Sequence, residues 1–267
     1  MNKELSAIMD AYWEDFVKHR DDDFIVKPSI PIIWFGDMEN YMKSKMKVVT
    51  VAINPSSIEF KCEKKEKSLF EEDNSFFRFP GAEDIWCLDR LDNYNKDTLY
   101  NSLNNYFENK PYKPWFLGFE KPLNVINASY YTDQKMINRA IHIDICTALA
   151  TVERWSKVSA IKKARITGYE LFKMLIKYLQ PNIILYTAKK EHLMPTFGID
   201  DKKDVDSRFQ KYENNYNDVI EIYKFNRTLI IYGRNNNWPF NIGDNWVRER
   251  LIQIMNNAKY KEYFNNV

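Results

Sequence analysis

Apolar residues recur at helical spacing at the start of the chain. Leu5, Ile8, Met9, Tyr12 and Phe16 share one face, acids and Lys18 fill the other, and the pattern stops at Arg20-Asp21-Asp22-Asp23. This predicts an amphipathic helix. After a Pro-punctuated stretch at 27–31, the β-branched run KVVTVAI at 47–53 predicts a strand buried on both faces, ending in Asn54-Pro55-Ser56-Ser57. No clean period holds between 58 and 97, which reads as a long loop with short helical pieces. Residues 98–108 read as helical, and the run KPYKPWF at 110–116 breaks that helix and starts another turn. A second buried strand follows in AIHIDIC at 140–146. Ile161, Ile166, Leu171, Leu175, Ile176 and Leu179 then predict one long amphipathic helix over 159–179, closed by Pro181. A third strand is expected at 182–187, and a hairpin at 218–225 and 228–232 turns at Asn226-Arg227. A polar loop at 233–240 leads to a last helix, capped by Asp244 or Asn245 and reaching about Tyr260.

Strands alternating with helices from residue 47 onward predict one three-layer α/β domain. Its central sheet is expected to be four-stranded and mainly parallel, over 47–267, with residues 1–46 as an N-terminal helical extension. Composition narrows the class without changing that picture. A chain of 267 residues with 45% hydrophobic, 28% charged and 15% aromatic side chains is too apolar for disorder. No window reaches the ~18 apolar residues of a spanning helix, and acids stand where a signal peptide carries basic and apolar residues. A cytoplasmic protein with no membrane association is expected. Cys62, Cys87 and Cys146 have no C-x-x-C spacing, so neither a structural zinc site, nor an iron–sulfur cluster, nor a disulfide framework is expected. No metal or cofactor is predicted.

A net charge of +2 makes no bulk case for nucleic-acid binding. Any such case rests on local clusters, with the lysines at 61–67, Arg78 and Arg234 as candidates around one cleft. Ligands of open α/β sheets bind beyond the carboxyl ends of the strands. Three polar segments answer that description: Asn54-Pro55-Ser56-Ser57, Asp144 with Thr147, and 234–238. Asp144 is the sharpest, because an acid inside an apolar run needs a partner or a chemical task. His142 points to the same face of that strand. No G-x-S-x-G elbow or phosphate-cradling glycine loop is present, which sets aside acyl and phosphoryl transfer. Asp206, Asp218, Glu221 and Lys224 distantly suggest a magnesium nuclease, with Glu and Lys one residue out of register.

The run Val51-Ala52-Ile53-Asn54-Pro55-Ser56 resembles the first motif of the mismatch-specific thymine/uracil branch of the uracil-DNA glycosylase superfamily. The order of an aromatic-rich loop, a strand with a polar residue and a last strand opening into a polar loop is similar over about 47–250. Ala52 and Ser56 replace the motif glycines, and Arg234-Asn235-Asn236-Asn237-Trp238 stands where the family has His-Pro-Ser or Asn-Pro-Ser.

The resemblance implies excision of a flipped-out base from DNA, without a cofactor or an obligate protein partner. It places Asn54 at the attacking water and a donor such as Asn237 at the leaving base. Phe77, Phe79, Tyr130 and His142 would hold the base. Ser56, Ser57, Arg78, Arg234, Asn235, Asn236 and Trp238 would contact DNA. Asp144 stands where uracil readers carry Asn. Ionised, a carboxylate only accepts hydrogen bonds, which suits the exocyclic amine of cytosine. A modified cytosine, such as the glucosylated hydroxymethylcytosine of phage DNA, is therefore the expected substrate, in an anti-phage role. Uracil or mismatch repair, a non-catalytic nucleic-acid or nucleotide-binding module, and a metal-dependent nuclease are the alternatives.

Overall fold

A computed structural model describes residues 2–60, 75–132, 136–213, 216–235, 238–240 and 245–264. In chain order the elements are α1 (Lys3–His19), α2 (Met38–Lys43), β1 (Val48–Ala52), α3 (Asn93–Asn104), α4 (Lys113–Val125), β2 (Ala128–Ser129) and β3 (Asn138–Asp144). They continue with α5 (Ala160–Ile166), α6 (Tyr169–Leu179), β4 (Ile183–Tyr186), α7 (Leu193–Phe197), β5 (Ser207–Glu213), β6 (Tyr216–Phe225), β7 (Thr228–Asn235), β8 (Trp238–Pro239), α8 (Asn245–Asn256) and α9 (Lys261–Phe264). The chain is α/β and groups into two compact units. The first comprises Met1–Gly36, Ile53–Tyr112 and Ile143–Tyr178, and the second Asp37–Ala52, Lys113–His142 and Leu179–Val267. The N-terminal helix, expected as an extension over 1–46, is thus grouped with the segments that follow β1 and β3.

The sheet runs β2-β3-β1-β4-β7-β6-β5, with β8 beside β7. It is a mixed sheet, which corrects the expectation of four mainly parallel strands. β1, β4 and β7 are parallel neighbours, whereas β5, β6, β7 and β8 pair antiparallel. β3 advances with β1: Asn138 Oδ1 accepts from Met46 N, His142 meets Thr50, and Cys146 N donates to Ile53 O. The apolar runs that predicted β1, β3 and β4 are the buried centre, where Val48, Val49, Val51, Ile183, Ile184 and Leu185 are all fully covered. β5 escapes sequence reading because Ser-Arg-Phe-Gln-Lys-Tyr-Glu is polar and lies at the sheet edge, where one side needs no apolar cover. The β6–β7 hairpin turns where expected, and Asn226 takes the left-handed conformation (φ 52°) that the turn requires.

Three helices depart from the expected bounds for local reasons. The helix expected over 159–179 is two, α5 and α6, because Gly168 N–H donates to Cys146 O at 2.7 Å instead of continuing the helical ladder. α3 begins five residues earlier than Thr98, since Asp92 caps it by accepting from Asn95 N at 2.8 Å. The last helix stops at Asn256, and Asn257 Oδ1 accepts from Lys259 N before α9 starts. In the first unit, Leu5, Ile8, Met9, Tyr12 and Phe16 of α1 are buried as the periodicity predicts, and Trp13 is buried with them.

Candidate functional site

In the order β3-β1-β4-β7, the chain leaves β1 for one neighbour and later returns past it to the other. That makes β1 a topological switch point, beyond whose carboxyl end ligands of open α/β sheets bind. The segment leaving β1 belongs to the first unit, and a ladder of contacts joins it to the segment leaving β3. Cys146 N donates to Ile53 O at 2.9 Å, and Ser56 forms a bridge with Thr151, which also bridges Ile25. Asn54 is half-buried, and its Nδ2 donates to Pro55 O at 2.9 Å and to Thr151 Oγ1 at 3.1 Å. Thr151 is 2% exposed and its own hydroxyl donates to Glu153 O at 2.7 Å. Both amide hydrogens of Asn54 are therefore committed, which fixes the plane of the amide and leaves Oδ1 as the group able to orient a water. Asp144, the last residue of β3, is 8% exposed.

The N-terminal helix supplies side chains that the sequence reading did not assign to a site. Tyr12 is buried, and its phenol is pushed far up by burial first, then by the negative fields of Asp15 and Asp144. It stays a neutral donor beside two carboxyl groups. Burial also holds the Asp15 carboxyl above the usual range, against the pull of His19 and Lys18. Asp15, Glu14 and Lys18 line a cleft of ≈ 560 Å³ with the segment 167–171. Tyr12 feels the charge of Asp144 from a distant part of the chain, so periodicity alone gives no signal for it. Thr151 gives no local signal either, because its bond to Asn54 joins residues 97 positions apart.

The remaining expected site residues fall in varied surroundings. Ser56 is exposed and caps a short helical turn by accepting from Ile58 N, and Ser57 begins that turn. Phe77 is half-buried, with the Arg78 guanidinium 4.4 Å from its ring centroid. Arg78 itself is 1% exposed. Its Nε lies 3.7 Å from Glu59, Nη1 donates to Lys110 O, and Tyr106 also donates to Glu59 at 2.8 Å. A buried, paired arginine replaces the phosphate contact expected of it. Phe79 is fully buried, 5.3 Å from Phe60 and 5.4 Å from Tyr106, so it packs a core instead of offering a face to a base. The lysines at 61–67 lie outside the described residues.

In the second unit, Tyr130 and His142 are each 1% exposed and converge on Thr50. His142 Nδ1 lies 2.7 Å from Thr50 Oγ1, which also meets the Tyr130 hydroxyl, and Phe116 and Phe119 flank the imidazole at 5.3 and 5.4 Å. Both residues are internal here, in place of the base-binding role expected of them. β8 pairs antiparallel with β7, with Arg234 opposite Pro239 and Asn235 opposite Trp238. Asn236 and Asn237 lie outside the described residues, as do the side chains of Arg234, Asn235 and Trp238. Phe240 is 2% exposed, and its ring lies over Gly233, where a Cβ would come within 2.2 Å of it.

The nuclease constellation is split. Glu221, 1% exposed, accepts from Tyr223 at 2.7 Å and from Lys190 at 2.9 Å, whereas Lys224 reaches the other way, to Asp206 at 3.8 Å. The side chain of Asp218 lies outside the described residues. Among the described residues no group of three or more His, Cys, Asp or Glu is placed to hold a metal ion, and no helix is long and apolar enough to cross a membrane. No family model, curated protein or solved structure matches this chain.

Proposed function

We propose that this protein is a monofunctional DNA glycosylase that hydrolyses the N-glycosidic bond of a flipped-out modified cytosine. The observation that carries the reading is the fixed Asn54 amide. Thr151 and the Pro55 carbonyl hold both its hydrogens, beyond the carboxyl end of the strand at the topological switch point. An amide takes up no proton at neutral pH, so Asn54 orients a water by accepting from it and does not act as a base. Glycosidic cleavage runs through an oxocarbenium-like sugar cation and an anionic base, and the protein's contribution is preorganised polarity. Asp144, adjoining this loop through the Ile53–Cys146 bond, offers a carboxylate to an exocyclic amine. That preference separates cytosine from uracil, which presents a carbonyl at the same place. Restriction to a modified cytosine follows from the host's own DNA, which an enzyme cutting plain cytosine would destroy.

The test uses duplexes carrying plain cytosine, uracil or glucosylated hydroxymethylcytosine, incubated in chelator and then with alkali. Strand breaks on the modified duplex, absent with Asn54→Ala, support the proposal. No alkali-labile site on any duplex, or full activity of Asp144→Ala, overturns it. Breaks that need a divalent metal and no alkali would favour nuclease chemistry instead.

A further inference from the structure

The segment that leaves Thr151 carries an unusual local charge. Between 151 and 165 stand Arg154, Lys157, Lys162, Lys163 and Arg165 against the single acid Glu153. Two of these cations are already spent: Lys162 lies 2.9 Å from Asp23 and Arg165 2.8 Å from Asp22. The other three have no carboxylate within ion-pair distance among the described residues. Arg154 and Lys157 are exposed and joined in one turn, Lys157 N donating to Arg154 O at 2.8 Å. Lys163 lies half-buried with its ammonium 5.7 Å from the ring centroid of Trp155, which ties α5 to that turn. The neighbouring acids do not cancel this field, because Asp21 is paired with Lys27, Asp22 with Arg165 and Asp23 with Lys162.

A solvated cationic turn is common on any surface. Here it is anchored at one end to the candidate site: Thr151, the first residue of the segment, is the residue that holds Asn54. Phosphate contacts of this kind carry no sequence information but set the register of a protein on its duplex. We propose that Arg154, Lys157 and Lys163 form the strip that takes the phosphate backbone of the DNA, positioning the target nucleotide at the Asn54 loop. This rests on the glycosylase reading for its partner, and adds to it the surface on which that partner lies. Trp155 gives the strip an apolar element between its cations.

The experiment measures binding separately from excision. A fluorescein-labelled plain duplex is titrated with the full chain in chelator between 50 and 200 mM KCl, and anisotropy gives the salt slope. The variant Arg154→Gln/Lys157→Gln/Lys163→Gln is compared with Lys162→Gln/Arg165→Gln, whose charges are already paired, and circular dichroism checks that each folds. Loss of three phosphate contacts lowers the slope by about 2.7, so the variant's salt sensitivity over that range falls ~40-fold. The paired-charge variant changes it much less. An unchanged slope in the triple variant, an equal loss in the paired-charge variant, or no binding by the parent protein overturns the strip. Excision that depends on Asn54 but is untouched by the triple variant would sink the strip and leave the glycosylase standing. Slope loss without excision on any duplex would do the reverse.

Discussion

Replacing Thr151 by Val removes one oxygen and keeps the shape of the side chain, which isolates the role of its hydroxyl. That oxygen accepts from Asn54 Nδ2 at 3.1 Å and donates to Glu153 O at 2.7 Å, from a residue only 2% exposed. Each hydrogen bond contributes about 0.5–1.5 kcal/mol net. The partners, half-buried Asn54 and exposed Glu153, can turn to water, so the lower half of that range applies to each. Thr151→Val should therefore cost about 1–2 kcal/mol, or roughly 2–8 °C in melting temperature for a chain of this size. The effect on excision is separate and larger in consequence. With one anchor lost the amide rotates, and misplacement of a water-orienting group costs ~10–100-fold in rate, about 1.4–2.7 kcal/mol of barrier. Single-turnover excision of the modified duplex, run at a temperature where both proteins are folded, gives the rate. Thr151→Ser keeps the hydroxyl and should restore most of the activity. A Thr151→Val protein with the parental rate, alongside an inactive Asn54→Ala, would refute the argument that Thr151 positions Asn54.

Three further expectations concern the fold that carries the site. Lys190→Met strips Glu221, 1% exposed, of its 2.9 Å ammonium partner and leaves Tyr223 and an Arg208 nitrogen at 3.5 Å. Breaking a buried pair costs about 3–5 kcal/mol, and the part-exposure of Lys190 with the remaining Arg208 brings this to about 2–3 kcal/mol, read by urea denaturation; Glu221→Gln in the same chain should recover part of it. Gly233→Ala puts a Cβ within 2.2 Å of the Phe240 ring and should destabilise by about 1–3 kcal/mol, with near-ultraviolet dichroism reporting the displaced ring. Asp206 is held below the usual carboxylate range: burial pushes it up, but hydrogen bonds from Lys259 and Tyr260 and the charge of Lys224 outweigh that. Its contribution is then present above the unfolded-state pKa of about 3.9 and lost as pH falls through the lower folded value. Asp206→Asn should be less stable than the parent at pH 6, with the difference shrinking below about pH 4; a constant difference across that window would disprove the assignment.

The strands that were legible in the sequence are those buried on both faces. The runs at 47–53, 140–146 and 182–187 are dominated by β-branched and other apolar residues, and they became β1, β3 and β4. β5 was not legible because a polar edge strand has the composition of a loop, although the antiparallel β6–β7 hairpin beside it was. The break between α5 and α6 depends on a hydrogen bond from Gly168 to Cys146, across 22 residues, which no local pattern encodes. The same limit governs the site. Asn54 and Asp144 could be named because strand ends are where α/β sheets place ligands. The support of Asn54, Thr151, depends on a contact between distant segments. Arg78 looked like a surface cation because its partner Glu59 lies 19 positions earlier and beyond any helical or strand spacing. Phe79, Tyr130 and His142 show that an aromatic or imidazole near a strand end reads the same whether it faces a ligand or closes a core.

Cleavage of a base from DNA at the loop holding Asn54 is the proposal on which the other activity predictions depend. Alkali-labile sites counted on a glucosylated-hydroxymethylcytosine duplex, in chelator, with the parent protein, Asn54→Ala and Asp144→Ala side by side, test it most directly. Abasic sites are expected on that duplex, with few or none on plain or uracil-containing duplexes and loss of activity in both variants. Abasic sites formed equally well by the Asn54→Ala protein, or by no protein on any duplex, would contradict it.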